Sequence, residues 1–166
     1  MNRRKALELL KEVGCSKEVI NHSILVSKYA NELALKIDGV DLEFLEIAAL
    51  LHDIGRAGTH SILHGIVGAE ILREHGFDER YQRVCERHIG AGISSKEAKE
   101  LGLPERDYFP ETLEEKIIAH ADNLIDSRRR KSFKKVYKDF QRKFGKNSKI
   151  VMRFLKLQEE LERSMK

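Results

Sequence analysis

The sequence predicts an all-α fold, a single compact helical bundle with a basic C-terminal helical extension. Three observations carry that expectation. Only two prolines, Pro104 and Pro110, interrupt the 166 residues. Almost every other apolar residue recurs at a spacing of three or four, the period of helices that bury one face. No two segments alternate in the way a strand pair requires. At this length the chain is long enough for one domain with a proper core and short for two. Its 41% hydrophobic and 35% charged residues describe a globular chain rather than a disordered one.

Taken in order, the periodic segments predict helices near 3–13, 16–38, 41–54, 60–75, 78–90, 94–101, 112–145 with a break, and 148–165. Each division has a stop signal, because Gly14, Gly39, Gly76, Gly90, Gly102 and Gly145 sit where a periodic segment ends. Start signals agree. Ser16, Asp41, Asp78, Ser94 and Ser148 stand at N-cap positions, and Thr112 and Glu115 have the spacing of a capping box after Pro110. The last helix carries Val151, Phe154, Leu155, Leu161 and Met165 against a Glu-rich face, a stripe for packing on the domain or on a second chain.

Composition excludes several classes. No stretch approaches the roughly 20 apolar residues that span a bilayer, and MNRRKALELLKEVG contains no long apolar signal region. Cys15 and Cys85 lie far apart with no CxxC, so neither a disulfide framework nor a thiolate zinc site is signalled. A soluble protein of the reducing cytoplasm is the expectation. The formal net charge of +4 hides an asymmetry, since residues 127–149 hold eleven Lys and Arg against the single acid Asp139, which leaves the remainder net acidic.

Ionisable side chains interrupt five apolar faces. His22 continues the stripe of Val26, Tyr29, Leu33 and Ile37. His52 continues Leu45, Ala48 and Ala49, with Asp53 turned roughly 100° from it. His64 shares a face with Val67 and Ile71, His88 completes Tyr81, Val84 and Cys85, and Asp122 lies between Ile118 and Ile125. A single inward histidine is ordinarily a core residue bonded to a carbonyl. An unpaired buried carboxylate, however, costs several kcal/mol, and Lys and Arg are scarce on these faces. One divalent cation would satisfy all six groups together, because it binds neutral imidazoles and ionised carboxylates. Neighbouring residues cannot share a face in mid-helix. At a last turn beside Gly55, His52 and Asp53 can both reach a point just past the helix end, where a carboxylate can bridge two ions.

The ordered set of His22, His52-Asp53 and Asp122 resembles the signature of the HD-domain superfamily of metal-dependent phosphohydrolases, with LLHDIGR matching its central motif. The likeness covers roughly residues 18–130. HGIVGAEIL and CERHIGAG resemble the added histidines of members that hold two metals. The chain is also similar to an archaeal group of small HD proteins, some joined to a tRNA methyltransferase. The resemblance implies an HD domain over 1–130, with 131–166 as the basic helical extension packed on it. His22, His52, Asp53 and Asp122 would hold a first metal, and His64, His88 and a bridging Asp53 a second. Mn, Fe, Ni, Co and Zn all suit these nitrogen and oxygen donors.

Where the family commonly has Lys after HDIG, this chain has Arg56, a bidentate phosphate contact but a poor proton donor. Arg87 is a second candidate for phosphate, and His60 a candidate for the entrance. HSILH lacks the glutamate of a zinc-protease helix, His120 reads as structural, and His75 as a helix C-terminal residue. The implied function is hydrolysis of a phosphoester in a nucleotide or related small phosphate compound, with Asp53 and Asp122 orienting and deprotonating a metal-activated water.

Two alternatives stand beside it. One is a di-iron oxygenase of HD type, using the same six ligands. The other is an RNA-binding module with a structural metal, in which the basic run over 128–149, interleaved with Phe133, Tyr137, Phe140 and Phe144, contacts phosphates. Those aromatics also fall on one helical stripe, which would make the charge a solvated face. The oligomeric state is not readable.

Overall fold

The computed structural model describes residues 1–126 and 128–166. It is all-α apart from one minimal hairpin, as the periodicity predicts. The helices are α1 (Arg3–Glu12), α2 (Lys17–Ala34), α3 (Leu42–Leu51), α4 (His64–Glu74), α5 (Glu79–Arg87), α6 (Ser95–Glu100), α7 (Leu113–Leu124), α8 (Phe133–Phe144) and α9 (Lys149–Ser164), with a 3₁₀ turn over Ile54–Ala57. Asn2, Ser16, Asp41, Asp78, Ser94, Thr112, Ser132 and Ser148 cap helix N-termini through their side chains. Six of these follow from the sequence signals. Asn2 and Ser132 are additional.

Two differences at caps have physical causes. The reciprocal capping box forms at Ser94 and Glu97, whereas at Thr112 only half of it exists. There Thr112 accepts from the Glu115 amide, but the Glu115 carboxylate is drawn to Arg87 at 3.1 Å and to the Glu111 amide at 2.7 Å. A charged partner outcompetes the helix's own first turn.

The long segment 112–145 breaks at a hairpin in which β1 (Ile125–Asp126) pairs antiparallel with β2 (Arg129–Arg130). The Lys131 amide donates to Leu124 O at 2.7 Å. Arg130 lies over the Tyr29 ring at 4.1 Å and pairs with Glu32 at 3.1 Å, which pins β2 to α2. No strand signal exists in so short a pairing, because long-range contacts create it.

Helices α2, α3 and α7 pack together, α4 pairs with α5, and α9 closes over α7 and α8. One core cluster joins Val26, Leu33, Leu45, Ala48, Ile118 and Phe154, and a second joins Leu10, Leu50, Leu51, Ile54, Leu72 and Cys85. Each fully buried Leu or Ile contributes about 1.5–3 kcal/mol. On α9 the buried stripe is Val151, Phe154, Leu157 and Leu161. Leu155 is half-buried, and Met165 lies past the helix end, where it bridges to Ile37. On α4 the buried face is His64, Gly65, Gly68, Ala69 and Leu72, while Val67 and Ile71 are only half-buried. The glycines account for this difference. A Cβ on Gly65 would stand 2.7 Å from Cys85 O, and one on Gly68 would stand 3.3 Å from Cys85 Cβ, so the α5 backbone lies directly on α4. No helix among the described residues is long and apolar enough to cross a membrane.

Candidate metal centre

Three of the histidines stand at helix ends. Helix α3 stops at Leu51, leaving His52 as its C-cap and Asp53 as the residue that turns the chain into the 3₁₀ segment. His64 opens α4, and His88 caps the C-terminus of α5. In each, Nδ1 meets the carbonyl oxygen three residues earlier: Ala49 O at 2.7 Å, Ser61 O at 2.8 Å and Cys85 O at 2.7 Å. A carbonyl only accepts, so Nδ1 carries the proton in all three rings. Each Nε2 is thereby turned inward with its lone pair.

His22 comes from the second turn of α2 and Asp122 from the last turns of α7. His22 Nε2 is 2.7 Å from Asp122 Oδ1, and His52 Nε2 is 3.4 Å from the same oxygen. Asp53 stands between two groups. Its Oδ2 faces His52 Nε2 at 3.8 Å and His22 Nε2 at 4.0 Å, and its Oδ1 faces His64 Nε2 at 3.2 Å and His88 Nε2 at 3.3 Å. Close approach of the 3₁₀ turn to α4 makes this possible, since a Cβ on Gly55 would fall 1.8 Å from His64 O.

The donor set fits divalent metal. His52 Nε2 and Asp53 Oδ1 are buried without a hydrogen-bond partner among the described residues, a state that costs several kcal/mol if left so. His64 Nε2 and His88 Nε2 lie 3.1 Å apart. With both Nδ1 atoms already protonated, only a proton or a cation between them relieves that approach. Three overlapping groups, His22/His52/Asp53, His52/His88/Asp122 and Asp53/His64/His88, each have donor atoms within 4.8 Å of one another and could hold an ion.

Electrostatics point the same way. Burial opposes ionisation of Asp53, but His52, His64 and His88 around it hold its carboxyl well below the usual carboxylate range. Asp122 is likewise held low against burial by His22 and His52. Burial also opposes charging of His52, but Asp53 and Asp122 overcome it and push the imidazole up to about 9. A divalent ion would take over the role of that proton.

A cleft of about 740 Å³ opens in front of the cluster, with His22, Asp53, Arg56 and His60 in its wall. Arg56 donates from Nε to Asp53 Oδ2 at 2.7 Å, which leaves its terminal nitrogens uncommitted by that bond. His60 is exposed at the rim, where the sequence places an entrance residue. Arg87, the other candidate for phosphate, stands elsewhere. It is absent from the cleft wall, and its guanidinium pairs with Glu115 at 3.1 Å and Glu111 at 2.9 Å, tying α5 to the start of α7. Its free energy of interaction is spent on buried Glu115 rather than on a ligand.

His75 caps α4, with Nδ1 on Ile71 O at 2.8 Å. His120 is buried against the α8 aromatics, stacked on Phe133, and burial lowers its pKa to about 4. Two residues of the site are not singled out by sequence reasoning. Asn123 donates to Gly90 O at 2.8 Å and so fixes the loop after His88 beside Asp122. Arg128 reaches the cleft wall from the hairpin. Its sequence signal is membership of the basic run over 128–149, which does not say which of the eleven cations there faces the cleft.

Comparison with known proteins agrees with this geometry. The family model described as HD domain matches residues 19–125. An uncharacterised protein of Methanocaldococcus jannaschii is 52% identical over 170 aligned positions, covering all of both chains. A tRNA (cytidine(56)-2′-O)-methyltransferase of Thermoplasma volcanium is 45% identical over 137 residues, covering 82% of this chain and 40% of that protein. The corresponding enzyme of Picrophilus torridus is 44% identical over 95% of this chain and 45% of its own length. The chain thus spans less than half of either methyltransferase. In fold it matches the HD domain of the Listeria monocytogenes phosphodiesterase PgpH in complex with cyclic-di-AMP, with a TM-score of 0.63 at 19% identity over 95% of this chain and 84% of that one. The chain belongs to the HD-domain family.

Proposed function

We propose that the protein hydrolyses a phosphoester bond of a nucleotide or related small phosphate compound in the cytoplasm, with the HD domain over 1–130 and residues 131–166 as a helical extension packed on it. The observation that supports this best is the placement of Asp53 between four imidazole nitrogens, with His52 Nε2 and its own Oδ1 buried and unpartnered among the described residues. His22, His52, Asp53 and Asp122 would hold one divalent ion, and His64, His88 and the second oxygen of Asp53 another, drawn from Mn, Fe, Ni, Co or Zn. When bound, such ions supply Lewis-acid activation of water and of the phosphoryl group.

The chain's own residues do the rest. Asp122, whose side chain is one-fifth exposed, orients the attacking water and accepts its proton, assisted by Asp53 in the cleft wall. Arg56 is held by Asp53 through Nε and offers its terminal nitrogens to a phosphoryl oxygen, fixing the ester for in-line attack. Arg56 stays protonated, so the proton for the leaving group comes from elsewhere. His60, exposed in the cleft wall, is a residue able to give one.

The nucleotide assignment draws on the cyclic-di-AMP complex of the PgpH domain, and contact with RNA through 128–149 on the methyltransferase relatives. An RNA module with stacking rings is less well supported. Phe133 and Phe140 stack on Phe154 at 5.0 and 4.4 Å, and Phe133 on Tyr137 at 5.6 Å, so these rings are engaged in packing.

The test is elemental mass spectrometry on protein purified without added metal, together with hydrolysis of a phosphoester panel. Two equivalents of metal in the parent, falling toward one in His64→Ala, with turnover and metal both lost in Asp53→Ala, are the expected results. Full turnover in Asp53→Ala would overturn the assignment. Oxygen consumption by iron-loaded protein, with no hydrolysis, would replace it by the di-iron oxygenase.

A further inference from the structure

We propose that Arg128, carried into the cleft by the β1–β2 hairpin, grips a second phosphate of the substrate. The enzyme would then select compounds with at least two phosphates over those with one. This rests on the phosphohydrolase reading and names the substrate class of that site.

The cleft wall contains two guanidinium groups, Arg56 and Arg128, together with His22, Asp53 and the exposed carboxylate of Glu18. Arg56 is bonded to Asp53 and so belongs to the reacting phosphate. Arg128 has no carboxylate within ion-pairing distance among the described residues, and Glu18 acts on it only through space. Arg130 is bound to Glu32 and Lys131 to Asp126 at 2.7 Å, whereas Arg129, likewise without a carboxylate partner among the described residues, lies outside the cleft wall. The turn that carries it is also anchored. The Arg128 amide bonds Asp126 O, and the Lys131 amide bonds Leu124 O, directly after the helix that supplies Asp122. A cation left unpaired on an anchored turn beside a metal-ligand cluster is placed for an anion that the cluster itself does not hold. A planar fork binds phosphate through two hydrogen bonds, as it does carboxylate, and phosphate is the anion that the phosphohydrolase reading supplies.

Asn21, on α2, adds a neutral polar group to the same wall. The second phosphate can be joined to the first as an anhydride, as in a nucleoside diphosphate, or through a ribose, as in a dinucleotide. The shared feature is the added phosphate.

The experiment measures equilibrium binding to metal-loaded protein by calorimetry, using AMP, the methylene-bridged analogue of ADP, and the dinucleotide pApA. Hydrolysis of bis(p-nitrophenyl) phosphate is followed in parallel. The parent should bind at least one two-phosphate ligand about tenfold or more tightly than AMP, and the preferred one tells anhydride from ribose linkage. Arg128→Ala should collapse that ratio toward one, Arg128→Lys should retain part of it, and Arg129→Ala, on the same hairpin but outside the wall, should keep it. Equal affinities in the parent, no binding at all, equal weakening of AMP in Arg128→Ala, or the same loss in Arg129→Ala would overturn the proposal. Failure of the reporter hydrolysis with the ratio intact would instead overturn the phosphohydrolase reading and leave the anion site standing.

Discussion

The two sides of Asp53 differ in how they meet water. On one side His22 and Asp122 keep 18% and 20% of their side chains exposed beside fully buried His52, while on the other His64 and His88 keep 6% and 2%. The outer side takes its groups from the second turn of α2 and the ends of α3 and α7, which pack through ordinary apolar side chains. Glycines build the inner side: Gly55, Gly65 and Gly68 bring the 3₁₀ turn, α4 and α5 into backbone contact. The contrast separates two tasks on one carboxylate. One oxygen faces a surface that substrate can reach, and the other faces a dry wall whose geometry belongs to the fold itself.

The harshest way to break this contrast is Gly55→Ala. Its Cβ would meet His64 O at 1.8 Å and Gly68 N at 2.5 Å, both backbone atoms. A loss above about 4 kcal/mol is expected, seen as failure to fold or as melting near room temperature in circular dichroism. A milder intrusion is Gly65→Ala, which presses on Cys85 O. It should cost about 1–3 kcal/mol by denaturant titration and weaken metal retention on the inner side first, measured by elemental analysis after chelator washing.

Arg87→Ala should loosen the inner side from further away. It strands buried Glu115, so about 2 kcal/mol of stability should be lost, with most of the metal kept. If turnover falls far more than stability, Arg87 has a role at the substrate that its pairing does not show. The smallest effect concerns the two thiols. Burial, aided by the Asp53 charge, pushes Cys15 up to about 11, and fully buried Cys85 is raised further. The thiolate is the reactive form, so Cys15 alkylation should climb about tenfold per pH unit from 7 toward 11 instead of levelling near 8.5. Cys85 should stay unlabelled until the protein unfolds. Mass spectrometry after timed iodoacetamide exposure distinguishes them, and early labelling of Cys85 would show that the inner wall opens.

The parts that the sequence discloses are those with local causes. Caps at Ser16, Asp41, Asp78, Ser94, Thr112 and Ser148 are legible because a short polar side chain acts within three residues of itself. The inward direction of His22, His52, His64, His88 and Asp122 follows from helical period, and the structure brings all of them together around Asp53. What depended on partners far along the chain was not legible. Arg87 looks like any solvent-facing arginine until Glu115, 28 residues away, is placed beside it. The hairpin within 112–145 meets α2 through Tyr29 and Glu32, and Arg128 inherits its position from the hairpin. Val67 and Ile71 misled for a related reason. A glycine contributes nothing to a hydrophobic stripe, yet on α4 the glycines mark the buried face.

The three imidazoles turned by carbonyls at Ala49, Ser61 and Cys85 have a consequence for mutational tolerance. The orienting group in each case is main chain, so no particular side chain at 49, 61 or 85 is needed to aim a ring. Exposed Ser61 is held only by its Oγ, which accepts from the Leu63 amide at 3.2 Å and the Thr59 hydroxyl at 3.0 Å, while buried Ala49 and Cys85 are restricted chiefly by the space around them. The ring poses are thus insulated from substitution at their hydrogen-bond partners, and a designer transplanting this cluster would need to copy the backbone path rather than a set of supporting residues.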